Sequence, residues 1–223
     1  MSSVVREKRD VSGFTRVAHR GVGEVHIAQG EVESLEIEAP DSIMSRLTAQ
    51  VTDGTLQLGY NHDWMNFFDW VGGFFSGASQ IRFYVTLPVV EGFSLSGAGS
   101  VEAAGLKADR LEISMSGAGN IKIGELSADS LIVAHKGAGN VEIQAGRCVE
   151  QDVTLSGAGN YRGGSFRSLR ARVRLKGMGN AEVLVKESLD AEISGLGNIR
   201  YRGNPSVKQR VTGLGKLQSL GEK

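Results

Sequence analysis

The first residues to search for chemistry are the histidines His19, His26, His62 and His135 and the single cysteine Cys148. His26 and His62 have no carboxylate or cysteine at metal-ligand spacing, so no zinc or related site is expected. His19 and His135 occupy equivalent places in a repeated pattern, one residue before a polar-Gly-x-Gly element, where a lone histidine reads as a core residue rather than a base or ligand. Cys148 aligns with Ala108 and Ala128, small inward positions, which makes it packing rather than a nucleophile. The recurring Gly-x-Gly-Asn invites a phosphate-cradling reading, yet phosphate loops lead from a strand into a helix start. No helix follows it here. Carboxylates are plentiful, but most fall in outward columns alternating with basic residues, not in a convergent pair of the kind that cleaves glycosides. No catalytic, cofactor-binding or metal-binding residue is therefore assigned.

The elements that position these residues follow from the repeat itself. It reads SGAGS at Ser96, SGAGN at Ser116, KGAGN at Lys136, SGAGN at Ser156, KGMGN at Lys176, SGLGN at Ser194 and TGLGK at Thr212, first at 20-residue and then at 18-residue intervals. On both sides of each element apolar residues alternate with period two, as in Phe93 and Leu95 before the first copy and Val101 and Ala103 after it. This is the signature of short strands with one face inward. Such a turn buries its inward face only by stacking on its neighbours. The expected fold is all-β: a single-domain parallel β-helix or solenoid with rungs of about 20 residues and Gly-x-Gly-Asn corners, seven copies rising about 30 Å at a strand spacing of roughly 4.8 Å.

The outward columns support this register. Glu102, Lys122, Glu142, Arg162, Glu182 and Arg200 alternate in sign through successive copies, as do Asp152, Arg172, Asp190 and Lys208. Opposite charges on neighbouring strands attract, and like charges repel. The two glycines are expected to close the corner through φ > 0. Asn120, Asn140, Asn160, Asn180 and Asn198 are expected to stack as an amide ladder. The residue between the glycines changes from Ala98, Ala118, Ala138 and Ala158 to Met178, Leu196 and Leu214, a drift toward bulk that suggests an inward position near a tapering end.

Residues 1–223 read as one domain, with N-terminal strands over 11–60, an aromatic insertion over 61–80 and regular rungs over 81–216. RGVGEVHI at 20–27 is a degenerate copy of the corner, and VTDGTLQL at 51–58 reads as a hairpin turning at Asp53-Gly54. The stretch YNHDWMNFFDWVGGFF, residues 60–75, holds seven of the fourteen Phe, Trp and Tyr residues. Trp64, Phe67, Phe68, Trp70, Phe74 and Phe75 either plug the solenoid or form an interaction patch for a partner, a second subunit or a membrane interface.

Twenty-five basic and 25 acidic residues cancel, so no nucleic-acid partner is expected. The basic run RSLRARVRLK, 167–176, places Arg172 and Arg174 among acids of the ladders and reads as a neutralised face. No stretch approaches a membrane span, and the opening MSSVVREKRD lacks the apolar core of a secretory signal.

The opening VREKRDVSGFTRV, the following HRGVGEVHIAQGEVESLEIEAP, the SGAGN corners and the ending SGLGNIRYRGNPSVKQRVTGLGKLQSLGEK together resemble the bacterial GIN-head domain family of auto-transporter adhesins. The resemblance implies a β-helical domain exported to, or anchored at, the cell envelope, with no catalytic residues to carry over. The leading expectation is a non-enzymatic envelope or surface solenoid that mediates adhesion or assembly, with self-association or a surface partner and no named ligand. A cytosolic self-assembling scaffold and a carbohydrate-active β-helix enzyme are the alternatives.

The charge ladder yields a direct test. Glu142→Lys places a third like charge between Lys122 and Arg162, and a stability loss of about 1 kcal/mol is expected in urea denaturation. An unchanged midpoint would count against the stacked register.

Overall fold

Alternating inward residues become strand almost everywhere. The computed structural model describes residues 3–60 and 80–222; it is 76% strand and 2% helix and forms a parallel β-solenoid of about six turns. In the regular region each turn is a single long bent strand: β9 (Ala98–Met115), β10 (Ala118–His135), β11 (Ala138–Leu155) and β12 (Ala158–Leu175). Each pairs in parallel with the next at the repeat spacing, Ile121 beside Val141 and Val133 beside Val153. Within β10 the inward residues are Ile121, Ile123, Leu126, Ala128, Leu131, Val133 and His135. The alternation slips by one residue after Ile123 and again after Ala128, and each slip bends the strand. With the glycine corner this gives the coil three sides.

The shortened turns keep the same core. In β13 (Ala181–Ile193), Val183 pairs with Gly163 but Leu184 pairs with Arg167, so the missing residues come from the first bend past the glycine corner. Columns on either side stay in register, Ala181 beside Tyr161 and Ala191 beside Val173. The last turn is built from β14 (Leu196–Arg202), β15 (Ser206–Val211) and β16 (Leu214–Ser219).

The N-terminal turns follow the same plan. β2 (Arg16–His19) and β3 (Val22–Gln29) flank the degenerate corner, and they pair in parallel with β8 (Gly92–Leu95) and with β9. On their other side lie β6 (Thr55–Tyr60) and β7 (Arg82–Leu87), also parallel. Leu58 stands beside His19 and Arg82 beside Glu24, so the stretch 61–79, with Trp64, Phe67, Phe68, Trp70, Phe74 and Phe75, departs where this turn would otherwise have its glycine corner. Those six residues lie outside the described residues. Beyond this turn the pairing becomes antiparallel. β4 (Ser34–Pro40) pairs β7, β1 (Val4–Arg9) pairs β4, and β5 (Leu47–Thr52) pairs β6 through a hairpin with φ of 49° at Asp53 and 68° at Gly54. One helical turn, α1 (Asp41–Met44), links β4 to β5. Leu35, Ile37, Ala39, Ile43, Met44 and Leu47 are all buried, which closes this end of the core.

Two expectations about the corner are corrected. Among its glycines only Gly23, Gly139 and Gly197 have φ in the left-handed range, at 109°, 129° and 141°. The general demand is close approach. The residue between the glycines donates its N–H to the first glycine carbonyl of the turn below, as in Ala138 N to Gly117 O at 3.0 Å and Leu214 N to Gly195 O at 3.0 Å. That carbonyl points along the solenoid axis past the α-carbon of the stacked glycine, and a Cβ on Gly137 would overlap Gly117 O and sit 2.8 Å from the Ser116 carbonyl carbon. The residue between the glycines also faces outward, not inward: Ala98, Ala118, Ala138, Ala158, Met178, Leu196 and Leu214 are all exposed. With both neighbours committed to axial hydrogen bonds, its side chain has only the solvent side.

Gly137→Ala is accordingly expected to cost about 3 kcal/mol or more, at the upper end of overpacking effects, because only backbone can yield. Gly105→Ala, where nothing lies within 4 Å of the added carbon, is expected to leave the melting temperature nearly unchanged. Equal effects at the two sites would refute close approach as the reason for the corner glycines.

Candidate functional site

The histidines at the corner are core residues. His19 and His135 are 1% and 0% exposed. His135 lies beneath its own corner, with Nε2 3.2 Å from Gly139 O. His19 packs against Phe83 at a ring separation of 5.4 Å, and burial pushes its pKa down to about 4 against the opposing effect of a hydrogen bond to the Val22 backbone. His26 is on the outside, stacked on Tyr84 at 5.2 Å and beside Glu24 at 3.4 Å. His62 lies outside the described residues. Among the described residues no three His, Cys, Asp or Glu side chains come together to hold a metal ion.

Cys148 is buried, and that burial, with a smaller contribution from Glu150, pushes its thiol up to about 12. It is protonated at neutral pH and has no nucleophilic character. Near it lies a buried polar chain that the sequence pattern does not announce. Tyr161 Oη donates to Gln151 Oε1 at 2.9 Å, Gln151 Nε2 donates to Ser168 Oγ at 2.7 Å, and Ser168 Oγ donates to the Leu184 carbonyl at 3.2 Å. The ring of Tyr161 uses the space left by Gly163, whose added Cβ would come within 2.8 Å of it. Gln151 stands in an otherwise aliphatic column between Leu131 and Ala171, and the buried phenol explains its presence.

The outward carboxylates and arginines largely pair with one another. Arg170 spans Glu150 at 2.8 Å and Glu187 at 3.3 Å, Arg172 meets Asp190 at 3.4 Å and Arg174 meets Asp152 at 2.9 Å. Within the basic run 167–176, Arg170, Arg172 and Arg174 are thus neutralised. In the other ladder Arg162 meets Glu142 at 3.7 Å, while Glu182 turns to Arg202 at 3.2 Å rather than to Arg200. Glu112 is held below the usual carboxylate range by a hydrogen bond from Arg16 and then one from Arg110, and Glu38 by Arg6 and then Arg82.

Exposed apolar side chains line up along the glycine-corner edge. Met178, Leu196 and Leu214 are 59%, 47% and 80% exposed and sit on successive turns, continuing the line of Ala98, Ala118, Ala138 and Ala158. The result is an apolar ridge along the solenoid, flat in its first half and bulky in its second. Lys136 and Lys176 are exposed on one flank. On the other flank the asparagines bond rung to rung: Asn140 Nδ2 to Asn120 Oδ1 at 2.9 Å, Asn160 to Asn140 at 2.9 Å, Asn180 to Asn160 at 3.2 Å and Asn198 to Asn180 at 3.3 Å. Backbone N–H groups of Asn180 and Asn198 donate to the Asn160 and Asn180 oxygens as well, and that of Lys216 donates to Asn198 Oδ1. A shallow groove of about 250 Å³ follows, between Asn120 and Asn140 and the charged side chains of Glu102, Lys122, Glu142 and Arg162. Sequence periodicity locates every column of this face, but the outward direction of the ridge depends on which way the corner carbonyls point.

Comparison with known proteins agrees with this architecture. The family model described as "Putative auto-transporter adhesin, head GIN domain" matches residues 13–205. A crystal structure described as a putative adhesin from Bacteroides fragilis superposes with a TM-score of 0.86 at 25% identity, over 98% of this chain and 97% of that one. A putative adhesin from Parabacteroides merdae superposes with a TM-score of 0.70 at 20% identity, over 97% and 96% of the two chains. A protein described as a putative lipid binding protein from Parabacteroides distasonis gives 0.68 at 17% identity, over 97% and 96%. The last two show the fold alone. A search of curated proteins finds no significant match.

Burial of His19 makes stability pH-dependent in a definite window. Its folded pKa of about 4 lies below the ordinary 6.5, so the unfolded chain takes up the proton first. Stability is undiminished above pH 6.5, falls as pH drops from 6.5 toward 4, and loses on the order of 3 kcal/mol from this group. Glu38 and Glu112, held below 4.5, contribute stability that is lost at lower pH, which separates the two effects. His19→Leu, matching its column neighbours Leu58 and Leu95, is expected to flatten urea-derived stability between pH 6.5 and 4.5. A variant as acid-sensitive there as the parent would refute the assignment.

Proposed function

Because this chain belongs to the family described as "Putative auto-transporter adhesin, head GIN domain", we propose that it is a non-enzymatic adhesion module of the cell surface or envelope. It binds through the glycine-corner ridge and the polar columns beside it. The observation that carries this reading is the outward line from Ala98 to Leu214, in which three large apolar side chains on consecutive turns stand in solvent. Apolar groups held in line by a rigid backbone cost no ordering on contact, so a partner that covers them gains burial without that loss. The amide ladder and the charged groove alongside supply directional contacts at fixed strand spacing. That suits an extended partner lying along the axis better than a small molecule in a pocket.

A non-enzymatic role is supported by the engagement of the carboxylates. Hydrolytic chemistry on a solenoid face calls for acids converging on one bond, whereas Glu142, Asp152, Glu150, Asp190 and Glu182 are each within ion-pair distance of an arginine. The neighbour described as a lipid binding protein has the same fold. Fold alone therefore does not choose the partner, and the site has to.

Two measurements test the proposal. Fractionated producing cells should hold the protein in the envelope or surface fraction; confinement to the cytosol would overturn that placement. Beads coated with the chain should attach to cell surfaces, and the triple change Met178→Ser, Leu196→Ser, Leu214→Ser, which stacks no like charges on neighbouring turns, should cut attachment roughly tenfold while the melting temperature moves little, because all three side chains are exposed. Undiminished attachment of that variant would rule out the ridge.

A further inference from the structure

Charged side chains on this solenoid face each other in a consistent way. Wherever the described strands set two of them side by side as register partners, the signs are opposite, as in Lys122 beside Glu142 and Asp152 beside Arg172. One pair breaks the rule. Arg147 and Arg167 are register partners on β11 and β12. Like charges directly opposite on neighbouring strands destabilise, so the register works against this pair.

No described side chain relieves it. The next register partners in the column are Ser127 on one side and Leu184 on the other, neither of them charged. Glu125 and Asp129 flank Ser127 on the turn below, yet neither is in an ion pair with either arginine. Both arginines are exposed and have no carboxylate partner among the described residues. The other arginines of β9 to β12, Arg110, Arg162, Arg170, Arg172 and Arg174, each meet one. Arg147 and Arg167 also line one groove, of about 410 Å³, at the second bend of the turn. Ala108, Ala128 and Cys148 make its floor small. Two residues past the arginines stand the half-buried Val149 and Leu169, and Asp109 and Asp129 hold the same places on the two turns below. The groove therefore has a cationic end with an apolar flank, and an end with carboxylates and the Ser127 hydroxyl.

We propose that this groove binds a sugar phosphate or sugar sulfate, with the oxyanion held between Arg147 and Arg167. Guanidinium forks on strands about 4.8 Å apart present paired N–H donors to one tetrahedral group, a geometry that a lysine ammonium does not offer. With the anion between them the two positive charges are bridged instead of opposed. The C–H face of the sugar covers Val149 and Leu169, and its hydroxyls reach Ser127 and Asp129. The groove lies at a different bend from the glycine-corner ridge, so this site stands apart from the adhesion reading and does not depend on it.

Calorimetric titration of the full chain at fixed ionic strength tests the site, with glucose 6-phosphate and glucose 6-sulfate as probes and glucose and inorganic phosphate for comparison. At least one ester should bind at a single site, glucose should not bind, and inorganic phosphate should bind roughly tenfold more weakly than the ester. Arg147→Gln and Arg167→Gln should each weaken the ester about tenfold or more, the loss expected of a hydrogen-bonded charge pair. Arg46→Gln, at an exposed arginine near α1 with no ion pair to a described residue, should leave binding unchanged. Melting curves give a second readout that a merely solvated arginine pair would not move. Without ligand, Arg167→Gln should melt about 2 °C above the parent, because the like-charge contact is gone. The ester should raise the melting temperature of the parent and not of that variant. A parent chain that binds neither ester overturns the proposal, as do arginine variants that bind like the parent, an equal loss in Arg46→Gln, and an Arg167→Gln chain that melts no higher. Inorganic phosphate as tight as the esters would overturn the sugar and assign the groove to the free ion.

Discussion

The structure rests on how closely one corner approaches the next. At each turn the N–H between the two glycines reaches the carbonyl of the first glycine below, and that bond runs past an α-carbon with no room for a side chain. Without the bond the coil would carry unpaired backbone groups at every glycine corner. With it, the hydrogen-bond ladder continues through the corner and holds every turn in register. The stacking of Asn120 to Asn198, the juxtaposition of opposite charges and the outward direction of Ala98 to Leu214 all follow from that register.

Register also governs what the interior tolerates. A column of identical positions on neighbouring strands is filled by aliphatic side chains, and a departure in one place demands a compensating change in another. Tyr161 is the clearest case: its ring occupies the volume that Gly163 gives up, and its hydroxyl requires Gln151, which in turn requires Ser168. Four residues of one turn and its neighbour thus form a unit around a polar group that would otherwise be orphaned. The buried histidines are a second departure. His135 has the Gly139 carbonyl within reach, and burial holds the pKa of His19 down.

A solenoid made this way has long regular faces and two ends, and its capacity for recognition is divided between them. The side bearing the ridge, the amide ladder and the charged groove repeats at strand spacing and suits extended partners. The ends do not repeat. One is sealed by antiparallel strands, which change the direction of pairing and so interrupt the stack, while the other presents a strand edge of the kind that natural proteins cover or charge.

The architecture is legible in the sequence, since a fixed period of 20 residues with glycine corners and period-two flanks has few other physical solutions. So are the register, the Asp53-Gly54 hairpin and the burial of His19, His135 and Cys148. Each of these depends on local pattern or on a neighbour one repeat away. The direction of the residue between the glycines is not legible, because it is set by the axial carbonyls of the turn below and not by any pattern along the chain. The glycines themselves suggest a demand for φ > 0 when read along the chain, and the folded corner shows that the demand is close approach. The partnership of Tyr161 with Gln151 and Ser168 crosses the interior, and the antiparallel closure of the N-terminal end joins strands that share no repeat. These features are settled in three dimensions, because side-chain direction at a corner and contacts across a core depend on where the backbone lies in space, and a one-dimensional period carries no record of that.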